Sequence, residues 1–346
     1  MPDLSRYSRQ VLFPPVGDEG QSRLSASRLL LVGCGALGSN LANTLVRAGV
    51  GFLRIVDRDY IELNNLQRQV LFDEDDIAAG LPTAEAASRK LSRINSDVQV
   101  EAIVADANYR NIERLAEGAD LLLDGTDNFE TRYLINDLAV ATHRPWIYGA
   151  CVGATGLCLP ILPGETPCLR CVFEQSPPPE MNPTCDTAGI LGPVVSIVAA
   201  HQAIEAIKIL TGHPEALDRR LLQFDAWTNR SVHLDVSAAK SDDCPCCGRR
   251  QFDYLSGKLA GGTTVLCGRN AVQLTPTDPQ RGRIDFSAIA DKLRSAGAAD
   301  IRVNVFLLKA RIDNLELTLF PDGRAIVAGT KHPEQAKAVL ARYVGM

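Results

Sequence analysis

The chain is short of several things. Of its 346 residues only 5% are aromatic, and five histidines are scattered without a cluster. A basic excess is missing too, with 36 Lys and Arg against 41 Asp and Glu and a formal charge of −5. General binders of nucleic acid or of anionic membranes favour the opposite balance, so the composition argues against both. The longest apolar stretch, around Ile190–Ala200, contains Gly192 and Pro193 and stops at His201, short of the roughly 20 residues that span a bilayer. The opening MPDLSRYSRQ lacks an apolar core of signal-peptide length. The expected location is therefore the cytoplasm, where clustered cysteines read as metal ligands or reactive thiols before disulfides.

What is present is ordinary globular material, 46% hydrophobic and 22% charged, in a length that suggests two domains. Arg28–Val32 is an apolar run ending in glycines, as buried parallel strands do. The pattern predicts helices over 36–48, 83–94, 109–116 and 130–142, alternating with strands at 52–56, 99–104, 120–124 and 145–148. That alternation indicates a doubly wound, mostly parallel α/β sheet. After Gly149 come a strand at 156–161, a Pro-rich loop at 176–183, a helix at 197–210 and strands at 221–224 and 231–236. A boundary is expected near residue 251, dividing a domain of 1–251 from a small α+β domain of 252–346. In the tail the pattern predicts strands at 263–266, 271–274, 301–309, 315–320 and 324–328, and helices at 286–296 and 333–343. The tail carries 13 basic and 9 acidic side chains, which leaves residues 1–251 at −9.

Gly33-Cys34-Gly35-Ala36-Leu37-Gly38 is a GxGxxG run between a strand and a helix. Its glycines admit a phosphate close to the backbone, and the helix start offers free N–H groups. Asp57 ends the next strand, nineteen residues after Gly38, where an acidic side chain takes ribose hydroxyls. These features alone make an NAD-dependent oxidoreductase the default. Beyond Asp57, however, Asp59, Asn65 and Arg68 crowd the strand's carboxyl end with charged and amide groups. A nicotinamide needs a flat apolar slot there, whereas a triphosphate needs guanidinium groups and a metal carboxylate.

Taken in order, Arg6-Tyr7-Ser8-Arg9-Gln10, the GCGALG loop, Asp57-x-Asp59, Asn65-Leu66-Gln67-Arg68-Gln69 and Asp124-Gly125-Thr126-Asp127-Asn128 resemble the MoeB, ThiF and HesA adenylyltransferases over residues 5–250. These are relatives of the ubiquitin-activating enzymes. The resemblance implies a homodimeric α/β fold with a Rossmann-like nucleotide site. It implies ATP-dependent adenylation of the C-terminal glycine of a ubiquitin-like sulfur-carrier protein ending in Gly-Gly, serving molybdopterin, thiamine or related sulfur insertion, with a sulfur-donor protein as a further partner. By resemblance Asp127 holds Mg2+ with Asp59 as a second candidate, Asn65 and Arg68 contact the phosphates, Asp57 the ribose, and Arg9 reaches across the dimer. Structural alternatives are an ion pair for Arg9, a surface pair for Arg68 and a helix cap for Asp127. One position departs from the pattern: the family's G-x-P-K is Gly80-Leu81-Pro82-Thr83 here, and Lys90 lies a further seven residues on. The alternatives for function are adenylation of a small-molecule or tRNA-borne carboxylate, or a carrier-binding homologue weakened by Thr83.

Cys168-x-x-Cys171 and Cys244-x-x-Cys247 form two CxxC pairs separated by 72 residues. Two such knuckles make a tetrahedral Zn2+ site, which the resemblance also implies; a redox pair is the competing reading. Cys246 is a spare thiol that can replace Cys247 as a ligand. Cys185 follows the Pro-rich loop and matches the cysteine some relatives use for a covalent link to the carrier, a role a thiol near an acyl-adenylate can fill. Cys34, Cys151, Cys158 and Cys267 read as packing residues, and His201 as structural.

Overall fold

The computed structural model describes residues 5–175, 185–259, 263–266, 270–274 and 284–344. The chain divides into a larger unit, Met1–Pro183 with Ala188–Ala260, and a smaller one, Thr184–Thr187 with Gly261–Met346. The expected Pro-rich loop at 176–183 lies outside the described residues.

The larger unit is built on eight strands: β1 (Arg28–Val32), β2 (Phe52–Asp57), β3 (Gln99–Val104), β4 (Leu121–Asp124), β5 (Trp146–Val152), β6 (Thr155–Ile161), β7 (Leu221–Asp225) and β8 (Arg230–Leu234). They lie in one sheet in the order β3-β2-β1-β4-β5-β6-β7-β8. Neighbours from β3 to β5 are parallel, and β6, β7 and β8 add on antiparallel. Side chains along β1 alternate between the two faces, as the strand period of two requires. Leu29 and Leu31 join the core under the helices Ala36–Ala48, Thr83–Ile94 and Gly192–Thr211. Leu30 and Val32 join the core under Phe129–Thr142. Strand order reverses between β1 and β4, and open α/β sheets bind ligands outside the carboxyl ends at such a point.

Several element ends differ from the sequence expectation for identifiable reasons. The helix expected at 197–210 begins at Gly192, because Pro193 occupies its first turn, where a missing N–H costs nothing. It is long and apolar enough to cross a membrane by length and composition, yet half of it is buried in the unit. The helix expected at 109–116 shrinks to one turn, Ile112–Leu115, because the Asn108 and Asn111 side chains accept the Arg110 and Asn108 N–H groups and hold a turn before it. Helices Gly17–Ala26 and Glu74–Ala79 are additional to the expected elements. The stretch 252–259, expected in the tail, packs on the larger unit: Tyr254 stacks on Tyr133, and its N–H donates to Asp137 at 2.9 Å.

The smaller unit is an antiparallel sheet of β9 (Thr263–Leu266), β10 (Ala271–Leu274), β11 (Ala299–Val303), β12 (Leu308–Ile312), β13 (Leu315–Leu319) and β14 (Ala325–Ala328), in the order β11-β12-β13-β14-β10-β9. Helices Phe286–Ser295 and Pro333–Tyr343 bury Leu293, Ala336 and Leu340 in the core they share with it. The single strand expected at 301–309 is broken, because Asn304 accepts N–H bonds from Phe306 and Leu307 and folds the chain back.

Candidate active site and cysteine cluster

At the switch point three glycines press backbone on backbone. A Cβ on Gly38 would lie 2.0 Å from the Gly33 carbonyl oxygen, and one on Gly125 would lie 2.3 Å from the same atom. Gly33 itself holds a φ of +85°, a left-handed backbone that favours glycine. Gly35 differs, since the nearest atom to its Cβ would be Gln69 Nε2 at 3.6 Å. Two glycines of the run, with Gly125 just after β4, therefore serve the fold, and Gly35 is the one whose Cβ would meet only an ordinary contact.

Asp57, at the end of β2, is buried and accepts N–H bonds from Cys34 at 2.6 Å and Asp59 at 2.7 Å. Burial, and then the nearby Asp59 charge, push its carboxyl up to about 6. Arg58 beside it pairs with Asp106 at 3.1 Å. Asp59 accepts the Thr83 N–H through its carbonyl at 3.0 Å, and Tyr60 bridges to Pro82. The start of the Thr83–Ile94 helix thus abuts the acidic loop, with Thr83 buried. Lys90 supplies no charge there: it is held by Asp73 and by Asp76, the latter at 2.9 Å, at the start of Glu74–Ala79.

Asp127 follows β4 and is exposed. It is not a helix cap; Asn128 takes that position and accepts the Thr131 N–H at 2.9 Å. Asn65 is buried, with Oδ1 accepting the Glu62 N–H at 3.0 Å, and Arg68 donates to the Asn64 carbonyl at 2.8 Å. Arg9 is exposed on the turn Ser8–Val11, and among the described residues it makes no ion pair. The site residues from Gly33 to Arg68 and Asp127 therefore sit at or beyond the carboxyl ends of β1, β2 and β4, whereas Arg9 stands on a separate turn. Cys185 begins the turn Cys185–Ala188, but its side chain lies outside the described residues, as does Cys267.

Sequence reasoning missed the network that holds this edge together. Asp124, fully buried, accepts from Thr126 N and Oγ1, from Gly149 N, and from Arg132 Nε at 3.1 Å. Arg132 Nη2 also donates to the Thr126 carbonyl at 2.8 Å, just before Asp127. Gln202 donates to the Asp124 and Ile147 carbonyls from the Gly192–Thr211 helix. A legible signal existed, since helical side chains lean back toward the N-terminus and Arg132 lies one turn past Asn128.

The second constellation lies at the far end of the Phe129–Thr142 helix. The sulfurs of Cys168, Cys171, Cys244 and Cys247 lie within 4.8 Å of one another, with separations of 3.8 Å (168–171), 3.6 Å (168–244) and 3.3 Å (171–247). Tetrahedral thiolate ligation at about 2.3 Å places sulfurs about 3.8 Å apart, so the set fits a metal ion. All four are free thiols. Cys246 stays outside that group; its sulfur accepts from Asn136 Nδ2 at 3.2 Å and also contacts Cys168 and Asp137.

A doubly wound sheet with a glycine-lined switch point and a rim of carboxylates and arginines defines a nucleotide-binding α/β protein. More particularly, the chain belongs to the ThiF family, whose profile matches residues 7–246. It is 44% identical to the sulfur carrier protein ThiS adenylyltransferase of Bacillus subtilis, over 98% of this chain and 99% of that protein. It is 40% identical to the SAMP-activating enzyme E1 of Haloferax volcanii, over 73% of this chain and 92% of that one. Among solved structures, E. coli MccB with ATP matches with a TM-score of 0.61 and 25% identity, over 72% of this chain and 75% of that one.

Proposed function

We propose that this protein adenylates the C-terminal glycine of a ubiquitin-like sulfur-carrier protein of the ThiS type at the expense of ATP. The observation that carries the reading is the end-to-end similarity to a ThiS adenylyltransferase, in a chain whose glycine loop, Asp57 and Asp127 meet at one switch point. A carrier carboxylate oxygen attacks the α-phosphorus, the bond to the bridging oxygen breaks, pyrophosphate leaves and an acyl-adenylate forms. Two anions must meet, so catalysis is chiefly positioning and charge compensation. Gly35 and the start of the Ala36–Ala48 helix receive the phosphates, and Asp57 accepts the ribose hydroxyls. Asn65 and Arg68 contact the phosphates, and Arg9 serves the site of a second copy in a homodimer. Asp127, with Asp59, would hold Mg2+, which when bound neutralises phosphate charge. Cys168, Cys171, Cys244 and Cys247 would hold Zn2+, a closed site whose role is structural. Cys185 is the thiol for a covalent link to the carrier, and a sulfur-donor protein is the further partner. We place the enzyme in the cytoplasm, with the larger unit as the adenylation domain and the smaller unit as an accessory domain.

The test is pyrophosphate release with ATP and candidate carriers ending in Gly-Gly. Release that depends on such a carrier is expected. ATP binding without turnover would sink the reading in favour of a carrier-binding homologue, which Thr83 favours, since Lys90 is engaged elsewhere. Mass spectrometry of Cys185→Ala with carrier and ATP tests the covalent step; an undiminished adduct rules it out.

A further inference from the structure

The CPCC segment offers three thiols for two ligand positions, and sequence alone does not say whether Cys246 or Cys247 completes the set. We propose that Asn136, a residue of neither knuckle, makes that choice and sets the two knuckles in register. Asn136 is fully buried on the Phe129–Thr142 helix and faces both knuckles at once. Its Oδ1 accepts the Leu169 N–H at 2.7 Å. That N–H opens the turn Leu169–Val172, which has no side-chain cap of its own, and unsatisfied N–H groups at a helical start need an outside partner. Asn136 Nδ2 meanwhile donates to Cys246 Sγ at 3.2 Å. One amide therefore fixes the backbone between Cys168 and Cys171 and ties down the sulfur of Cys246, which also contacts Cys168 and Asp137 but stays outside the group of four. With Cys246 held, only Cys247 projects toward Cys171, at 3.3 Å.

Other contacts set the same register. Asp137, the next residue, accepts the Tyr254 and Leu255 N–H groups beyond the second knuckle. Arg170, inside the first, pairs with Asp253 at 3.4 Å. Within the second knuckle the Gly248 and Arg249 N–H groups close onto the Cys244 carbonyl. These bonds shape each knuckle and join them at the margins, but among the described residues only Asn136 is bonded both to a sulfur of the CPCC segment and to the backbone of the other knuckle. Partners of this kind, acting through ligands they position, typically alter metal affinity 10- to 100-fold.

The inference rests on the cysteine cluster holding a metal, and the test separates the two. Zn2+ affinity is measured by chelator competition on the full chain, and the ligand set by the absorption of the Co2+-loaded protein. We expect one Zn2+ bound by wild type, the same stoichiometry in Cys246→Ser, and loss of tight binding in Cys247→Ser. Asn136→Ala should bind Zn2+ 10- to 100-fold more weakly while keeping its far-ultraviolet circular dichroism and ATP affinity. Adding Asn136→Ala to Cys247→Ser should restore part of the Zn2+ binding through the released Cys246, which a merely structural asparagine would not do. If Asn136→Ala does not fold, Asn136→Asp keeps the acceptor for Leu169 and removes the donor to Cys246. Tight binding that survives Cys247→Ser but not Cys246→Ser overturns the proposal, as does unchanged affinity in a folded Asn136 variant. A wild-type chain that takes up neither Zn2+ nor Co2+ overturns the metal site itself.

Discussion

Asp57 holds the glycine loop through the Cys34 N–H and, in the proposed function, also offers charge to a ligand. Burial raises its carboxyl from 3.8 to about 6. An acid raised on folding binds its proton more tightly when folded, so ionising Asp57 costs stability as pH climbs between those values. Ligand binding runs the other way, because the ionised form is the better acceptor. ATP affinity measured by calorimetry should therefore fall as pH drops through about 6, and Asp57→Asn should flatten that dependence. At Asp127 the expectation is simpler. It caps no helix and is exposed, so Asp127→Ala should leave the melting temperature nearly unchanged while abolishing Mg2+-dependent pyrophosphate exchange. Asn128→Ala should instead cost about 1 kcal/mol of stability, the usual worth of a cap. The motif around these residues was legible because its chemistry is local. The division of labour between neighbours was not, since it depends on which side chain faces the helix start.

Elements were legible where one rule dominates. Strands β1, β2 and β4 are short, mostly apolar runs closed by turn residues, and the Thr83–Ile94 helix matches its pattern from end to end. Elements decided by a single polar residue were not: Asn304 breaks a β-like run, and Pro193 starts a helix that looks interrupted. The glycine run shows the same split between rule and context. Gly38→Ala places a methyl 2.0 Å from a carbonyl oxygen and should lower the melting temperature sharply or prevent folding. Gly35→Ala meets only the end of Gln69, so it should fold normally and lose ATP affinity, which calorimetry on the soluble variant would register.

At the scale of the molecule, the CxxC pairs were legible by spacing, but their meeting point was not, because 72 residues of sheet and helix separate them. In the Asp124–Arg132–Gln202 network the first pair spans only eight residues, but Gln202 arrives from 78 residues away and was hidden for the same reason. Stripping the metal with a chelator should lower the melting temperature by more than about 4 °C, a shift that corresponds to roughly 2 kcal/mol in a domain of this size. A scan unchanged by chelation and by added Zn2+ would contradict a structural metal.

Arg132 and Asn136 stand one helical turn apart on the same helix, the first bonded to the loop before Asp127 and the second to both cysteine knuckles. Held at two adjacent turns, the middle of this helix cannot slide along its axis without breaking bonds at one grip or the other. Because Arg132 keeps its own bonds to Asp124 and Thr126, loosening the cysteine grip should leave the loop before Asp127 in place, and loss of the metal would register as lower stability before any loss of nucleotide affinity.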